Sequence, residues 1–226
     1  MNHILELLEK VVKEKMNNKD MGNDYFHTEL SIQTAHYICK KENADFDVVK
    51  AALLLHHISP RKKTDDKFND YRAEGLSESE DILIKMGCSK EMIDKILNCI
   101  ETTHLGQESR ALSIESKIAF DANKLVTTGA LAIARTFAFG GSFGRPIYDP
   151  ENSLIKTKED INSYKKINYD PYKIEVDSIS HFITKLLKLK DKIMTKTGKD
   201  LVQKRHNFMI QFIEEFLEEI GIDSAK

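Results

Sequence analysis

Two adjacent histidines, His56 and His57, close the apolar run ALLLHHISP over residues 52–60. Leu53 to Leu55 call for burial, so the two imidazoles emerge where a helix leaves the core, and Ser59 and Pro60 turn the chain away. Imidazole nitrogens held there can meet a metal ion or an anion. Directly after the doublet come Arg61, Lys62 and Lys63. Of these Lys62 is the candidate to reach an anionic oxygen, beside the plainer role of a solvated basic loop. His27 lies upstream in a helix opened by Asn23 and Asp24, and Asp121 and Asn123 lie far downstream in IAFDANKLVTTGALAIAR.

The elements that must hold these residues are helical, because apolar residues recur at three and four while runs of alternating Val, Ile and Thr are missing. The periodicity predicts helices over 2–16, 24–41, 45–58, 77–86, 89–103, 114–137, 178–195 and 199–220. Asp45 and Ser89 are expected N-caps and Gly87 a helix end. Arg61 to Gly75 is a loop by composition. So is Ala138 to Val176, which holds Gly140, Gly141, Gly144, Pro146, Pro150 and Pro171; at that length it is either a lid or arm, or a surface excursion. The stripes Phe182 to Ile193 and Phe208 to Ile220 are either core or a subunit interface, which leaves a homodimer open.

Composition excludes several partners. With 226 residues, 41% hydrophobic and 31% charged, the chain can build a sizeable core. Its 34 Lys and Arg against 36 Asp and Glu give a net charge of −2, so nothing global draws nucleic acid or an anionic membrane. Residues 1–16 mix Glu and Lys through their apolar positions, unlike a signal peptide, and no stretch is apolar enough to span a bilayer. Cys39, Cys88 and Cys99 form no C-x-x-C pair, as expected of reduced thiols in a cytoplasm.

The order of His27, then His56 and His57, then Asn123 resembles the HD-domain superfamily of metal-dependent phosphohydrolases. There the ligands run His, an adjacent His and Asp, and a distant Asp in a motif like A-D-R-L. The segments IETTH, SIESKIAFDANKL, GALAIARTFAFGG, GRPIYDP and HFITKLLKLKDKIMTKTGKDL with RHNFM are similar, in the same order, to compact bacterial members, so the likeness covers nearly the whole chain. It implies one all-helical HD-type domain over 1–226: a core of about 20–137, a loop or lid over 138–176 and a C-terminal helical pair over 177–222.

On that resemblance His27, His56, His57 and Asn123 are the metal ligands, His57 and Asn123 standing where the family has aspartates. A carboxylate about 4 Å from a unit positive charge gains on the order of 4 kcal/mol at an effective dielectric near 20, so losing two disfavours a hard ion such as magnesium. Three imidazoles suit zinc, nickel or iron, with manganese a further candidate. Asp121 cannot replace Asn123, because residues two apart on a helix point about 200° apart. Asp24, three positions before His27, is placed to orient that imidazole. The resemblance also implies that His104 contacts phosphate at the mouth of the site and that Arg135 assists in binding it. The stretch YRAEGLSESED lacks a further histidine that the subgroup has near its site. Two functions follow: a hydrolase of a phosphate ester or nucleotide with a retuned metal site, or an inactive relative that keeps the pocket for binding or regulation.

Overall fold

The computed structural model describes residues 2–16, 25–58, 71–167 and 176–222. Among them every regular element is a helix, as the periodicity requires. The chain forms two compact units, one of Met1–Leu125 with Met194–Gly198 and the other of Val126–Ile193 with Lys199–Lys226. No helix among the described residues is long and apolar enough to cross a membrane.

In the first unit, helices α1 (Asn2–Met16), α2 (Tyr25–Glu42), α3 (Phe46–Leu55), α4 (Tyr71–Lys85), α5 (Lys90–Thr102) and α6 (Ile114–Leu125) enclose one core. Its centre is α3, which touches α1, α2, α5 and α6. That helix is apolar all round, with Val48, Val49 and Ala51 to Leu55 buried, the pattern of a helix surrounded by others. Asp45 starts it by accepting from the Asp47 and Val48 amides at 3.0 and 3.4 Å. Ser89 caps α5 in the same way through the Met92 amide. Helix α4 begins at Tyr71, earlier than the composition of 61–75 suggested. Gly75 is tolerated within it, and the Ser79 hydroxyl donates back to its carbonyl at 2.6 Å. Residues 61–70 lie outside the described residues.

One long helix was expected over 114–137, and the structure breaks it in two. Helix α6 stops at Leu125, and α7 (Ala130–Ser142) starts after Gly129, whose φ of +77° an L-residue rarely adopts. A Cβ there would also sit 3.1 Å from the Arg205 side chain. The second unit holds α7, the short α8 (Lys158–Ile161), α9 (Ser180–Thr184) and most of α10 (Lys196–Glu219).

The supposed loop 138–176 is partly helical. Ala138 to Ser142 continue α7, and the Asp160 carboxylate opens α8 by accepting from the Lys156 and Thr157 amides. Its first half is pinned. Pro146 and Ile147 carbonyls accept from the Ser178 and Ile179 amides, and the buried Asp177 carboxylate accepts from Asp149 and Ser180. This half is therefore tied down by hydrogen bonds, although residues 141–144 and 150–152 are exposed. The helix expected over 178–195 is also split, because Lys185 leaves helical geometry at φ −134° and a 3₁₀ segment, Leu186–Lys192, follows. Ile183, Leu186 and Leu189 are spaced by three, the 3₁₀ period, and all are buried. Of the two apolar stripes, Phe182, Leu187, Met209, Ile213 and Leu217 are core.

Asp121 is fully buried and accepts from the Met194 amide (2.9 Å), the Thr195 amide (2.7 Å) and the Thr195 hydroxyl (2.7 Å). Thr195 Oγ1 in turn accepts from the Gly198 amide and so caps α10. Asp121→Ala removes a charged acceptor from three donors, two of them buried, and should cost about 3 kcal/mol or more in urea unfolding. Unchanged stability would refute this anchoring role.

His206 is buried in the second unit, edge-on to Tyr164 at 5.8 Å. Burial, helped by the charge of Lys190, pushes its pKa below the ordinary 6.5. The unfolded chain therefore binds the proton more readily. This contribution to stability is full above the ordinary histidine range and is lost as the pH falls through it. His206→Gln should flatten the decline in melting temperature between about pH 7.5 and about pH 5, whereas an unaltered decline would show that other groups carry it.

Candidate metal centre

The position of the histidine doublet follows from the burial of α3. The helix ends at Leu55, the His56 amide still donates to the Ala52 carbonyl, and the Ile58 amide closes the turn on Leu55. His56 is thereby kept inside the protein, and His57 is half-buried beside it with ring centroids 3.7 Å apart. His27 enters from the first turn of α2, its ring 6.5 Å from that of His56 and 5.9 Å from that of His57. One potential ligand atom from each of the three lies within 4.8 Å of the others.

Hydrogen bonds fix how two of the rings are used. His56 Nδ1–H donates to the Leu53 carbonyl at 2.7 Å, which leaves the lone pair on Nε2. That Nε2 is buried and makes no hydrogen bond of normal geometry, although Asn123 lies near enough to act on the ring. A backbone carbonyl on one nitrogen and an unsatisfied lone pair on the other is how metal-binding histidines are commonly held. His27 Nε2–H donates to Asn123 Oδ1 at 3.0 Å, so α6 delivers its asparagine directly to the first histidine of the pattern.

All the charges point the same way. Burial pushes the His56 pKa down to about 4, with the Lys124 ammonium contributing in the same direction. His57 is held well below 6.5, first by burial and then by its neighbours His56, His27, His104 and Lys124. Near neutral pH these two rings are therefore uncharged, the state that ligates metal. The donor set fits a divalent transition ion: neutral nitrogens, one amide oxygen, and no carboxylate among the described residues that joins the cluster.

The other expected residues are distributed unevenly. His104 follows α5 in a turn, close enough for its charge to bear on His57. Arg135 is half-buried in α7 of the second unit. Asp24 and Lys62 lie outside the described residues. Asp121 serves the start of α10. Lys124 was not foreseen, although its place beside Asn123 in ANKL was a usable signal; its ammonium lies 5.4 Å from the centre of the Phe120 ring.

No family model matches the chain. YpgQ of Bacillus subtilis is 32% identical over 218 residues, 94% of this chain and 92% of that protein. The crystal structure of YpgQ in complex with ADP superposes with a TM-score of 0.70 at 29% identity, over 97% of each chain. An HD-superfamily hydrolase from Bacillus thuringiensis gives a TM-score of 0.69 at 28% identity, also over 97% of each. With an all-helical fold and the His27, His56 and His57 cluster in place, the chain belongs to the HD-domain superfamily of hydrolases. Within that superfamily it is a relative of YpgQ. Its metal motif is altered: among the described residues no carboxylate joins His27, His56 and His57.

The nitrogen-rich cluster should prefer zinc, nickel or iron(II) to magnesium, and His56→Ala should weaken that binding by about tenfold or more. Titration of the metal-free protein measures both. Magnesium binding as tight as that of the transition ions would contradict the assignment.

Proposed function

We propose that the chain binds a nucleotide or another small phosphate ester at the histidine cluster and hydrolyses a phosphate bond there. The observation that carries this reading is the convergence of three imidazoles, one potential ligand atom of each lying within 4.8 Å of the others. The ADP held by YpgQ supports a nucleotide as the ligand class. His27, His56 and His57 hold the ion, and Asn123 offers its amide oxygen once its hydrogen bond with His27 Nε2 gives way. When bound, a divalent ion supplies charge neutralisation at the phosphoryl group and lowers the pKa of the attacking water.

The remaining roles belong to the chain's own side chains. His104 donates a hydrogen bond to a phosphoryl oxygen, and Lys62 offsets the charge of the anion. Asp24 orients His27. Three free cysteines, two of them buried, are in keeping with work in the cytoplasm.

A second reading, a binding module without turnover, is favoured by the absence of a carboxylate from the cluster among the described residues. Paired substitution separates the two. His57→Asp with Asn123→Asp should restore the charge a hard ion needs and raise manganese-dependent hydrolysis of a generic phosphate ester by at least about tenfold. Each single change should gain much less, because ligands of one ion act as a unit. A double variant that folds, binds manganese and hydrolyses nothing would establish the binding module.

A further inference from the structure

The last helix carries its charges the wrong way round for a helix standing alone. Over 196–205 α10 has Lys196, Lys199, Lys204 and Arg205 against a single acid, Asp200, and over 207–219 it has Glu214, Glu215, Glu218 and Glu219 with no basic residue. Its first turn holds no acid and its last turn no base. The helix dipole favours the reverse order, so at both ends like charge sits beside like partial charge. Among the described residues, Glu42 and Asp121 ease this by accepting from the Thr197 and Thr195 amides, and Lys158 by pairing with Glu218. Lys199, Lys204, Glu215 and Glu219 remain exposed.

One face of α10 is core, through Val202, His206, Met209, Ile213 and Leu217. On another face Lys199, Gln203, Asn207, Gln211 and Glu215 recur every four residues, and all five are exposed. The row is symmetric about Asn207: glutamine stands one step to either side, and at two steps Lys199 mirrors Glu215. Gln203 Nε2 donates to Asn207 Oδ1 at 2.8 Å within it. Beside the row Phe208 is 47% exposed and helps to line a groove of about 450 Å³ with Lys204 and Gln211, which gives the polar face some apolar surface.

We infer that this face of α10 docks on the same face of a second copy of the chain, the two helices running antiparallel about a two-fold axis at Asn207. Such a contact is isologous, so each feature is used twice. Lys199 of each copy meets Glu215 of the other, the glutamines face one another, and the two helix dipoles oppose. The one like-charged match, Asp200 with Glu214 of the second copy, lies a turn from Lys204. The charge order that is unfavourable within one helix is thus complementary between two. One helix from each copy makes a small interface, so the association is reversible and depends on concentration.

Sedimentation equilibrium of the full chain from about 1 μM to about 1 mM reads this association directly. The parent should pass from monomer to dimer as concentration rises, and raising the salt to about 0.5 M should weaken the dimer several-fold. Lys199→Glu and Glu215→Lys should each weaken it by about tenfold or more, because the two-fold axis doubles the change. An equimolar mixture of the two variants should dimerise like the parent, since in the mixed pair every reversed charge meets its opposite again. Both reversals suit the helix dipole, so the melting temperature of either variant, measured dilute, should hold or rise. A parent that is monomeric throughout the range overturns the inference and leaves this face to solvent or another protein. A mixture no better than the single variants also overturns it, as does dissociation accompanied by a fall in melting temperature.

Discussion

The burial of α3 is the constraint on which the site depends. A helix with apolar residues on every side can be stable only if other helices surround it, and α1, α2, α5 and α6 do so. Its C-terminal end must then open into the interior, where its last carbonyls need donors. His56 is one such donor: Nδ1–H satisfies the Leu53 carbonyl. The same bond settles the tautomer and leaves the lone pair on Nε2, in a ring packed beside those of His27 and His57. Satisfying a helix end and preparing a ligand are thus one interaction.

Substituting two carboxylates by an imidazole and an amide changes the electrostatics of such a centre more than its shape. Asn123 is nearly isosteric with aspartate, and its hydrogen bond to His27 preserves the approach of α6 to α2. What changes is the charge available to an ion. Both histidines of the doublet feel burial and Lys124, and His57 also feels His56; all of these favour the neutral form. The doublet is therefore uncharged near neutral pH, although three imidazoles are packed together.

Much of this was legible in the sequence, for identifiable reasons. The doublet stood out because histidines rarely end so apolar a run. Long periodic segments such as 2–16 and 89–103 gave helices within a residue or two of the observed ends. The errors lay where local backbone chemistry overrides periodicity. Apolar spacing continues across Thr127, Thr128 and Gly129, but only the left-handed glycine shows that the chain turns there. Likewise Ile183, Leu186 and Leu189 suit either an α-helical or a 3₁₀ register until Lys185 decides between them. Lys124 was passed over because a lysine beside a ligand position usually faces solvent; its half-buried place over Phe120 is a tertiary fact.

Helix α6 shows how one element can carry two tasks without conflict. Asn123 and Asp121 are two residues apart and so project to nearly opposite sides. The asparagine meets His27, and the aspartate meets the backbone at Met194 and Thr195. A carboxylate with three donors upon it is already neutralised locally and has little to offer an ion. Asp121 therefore cannot compensate for the aspartate missing at position 123, although it is the nearest acidic residue in the sequence. Its negative charge is committed to holding the start of α10, and the centre opposite is left to neutral donors.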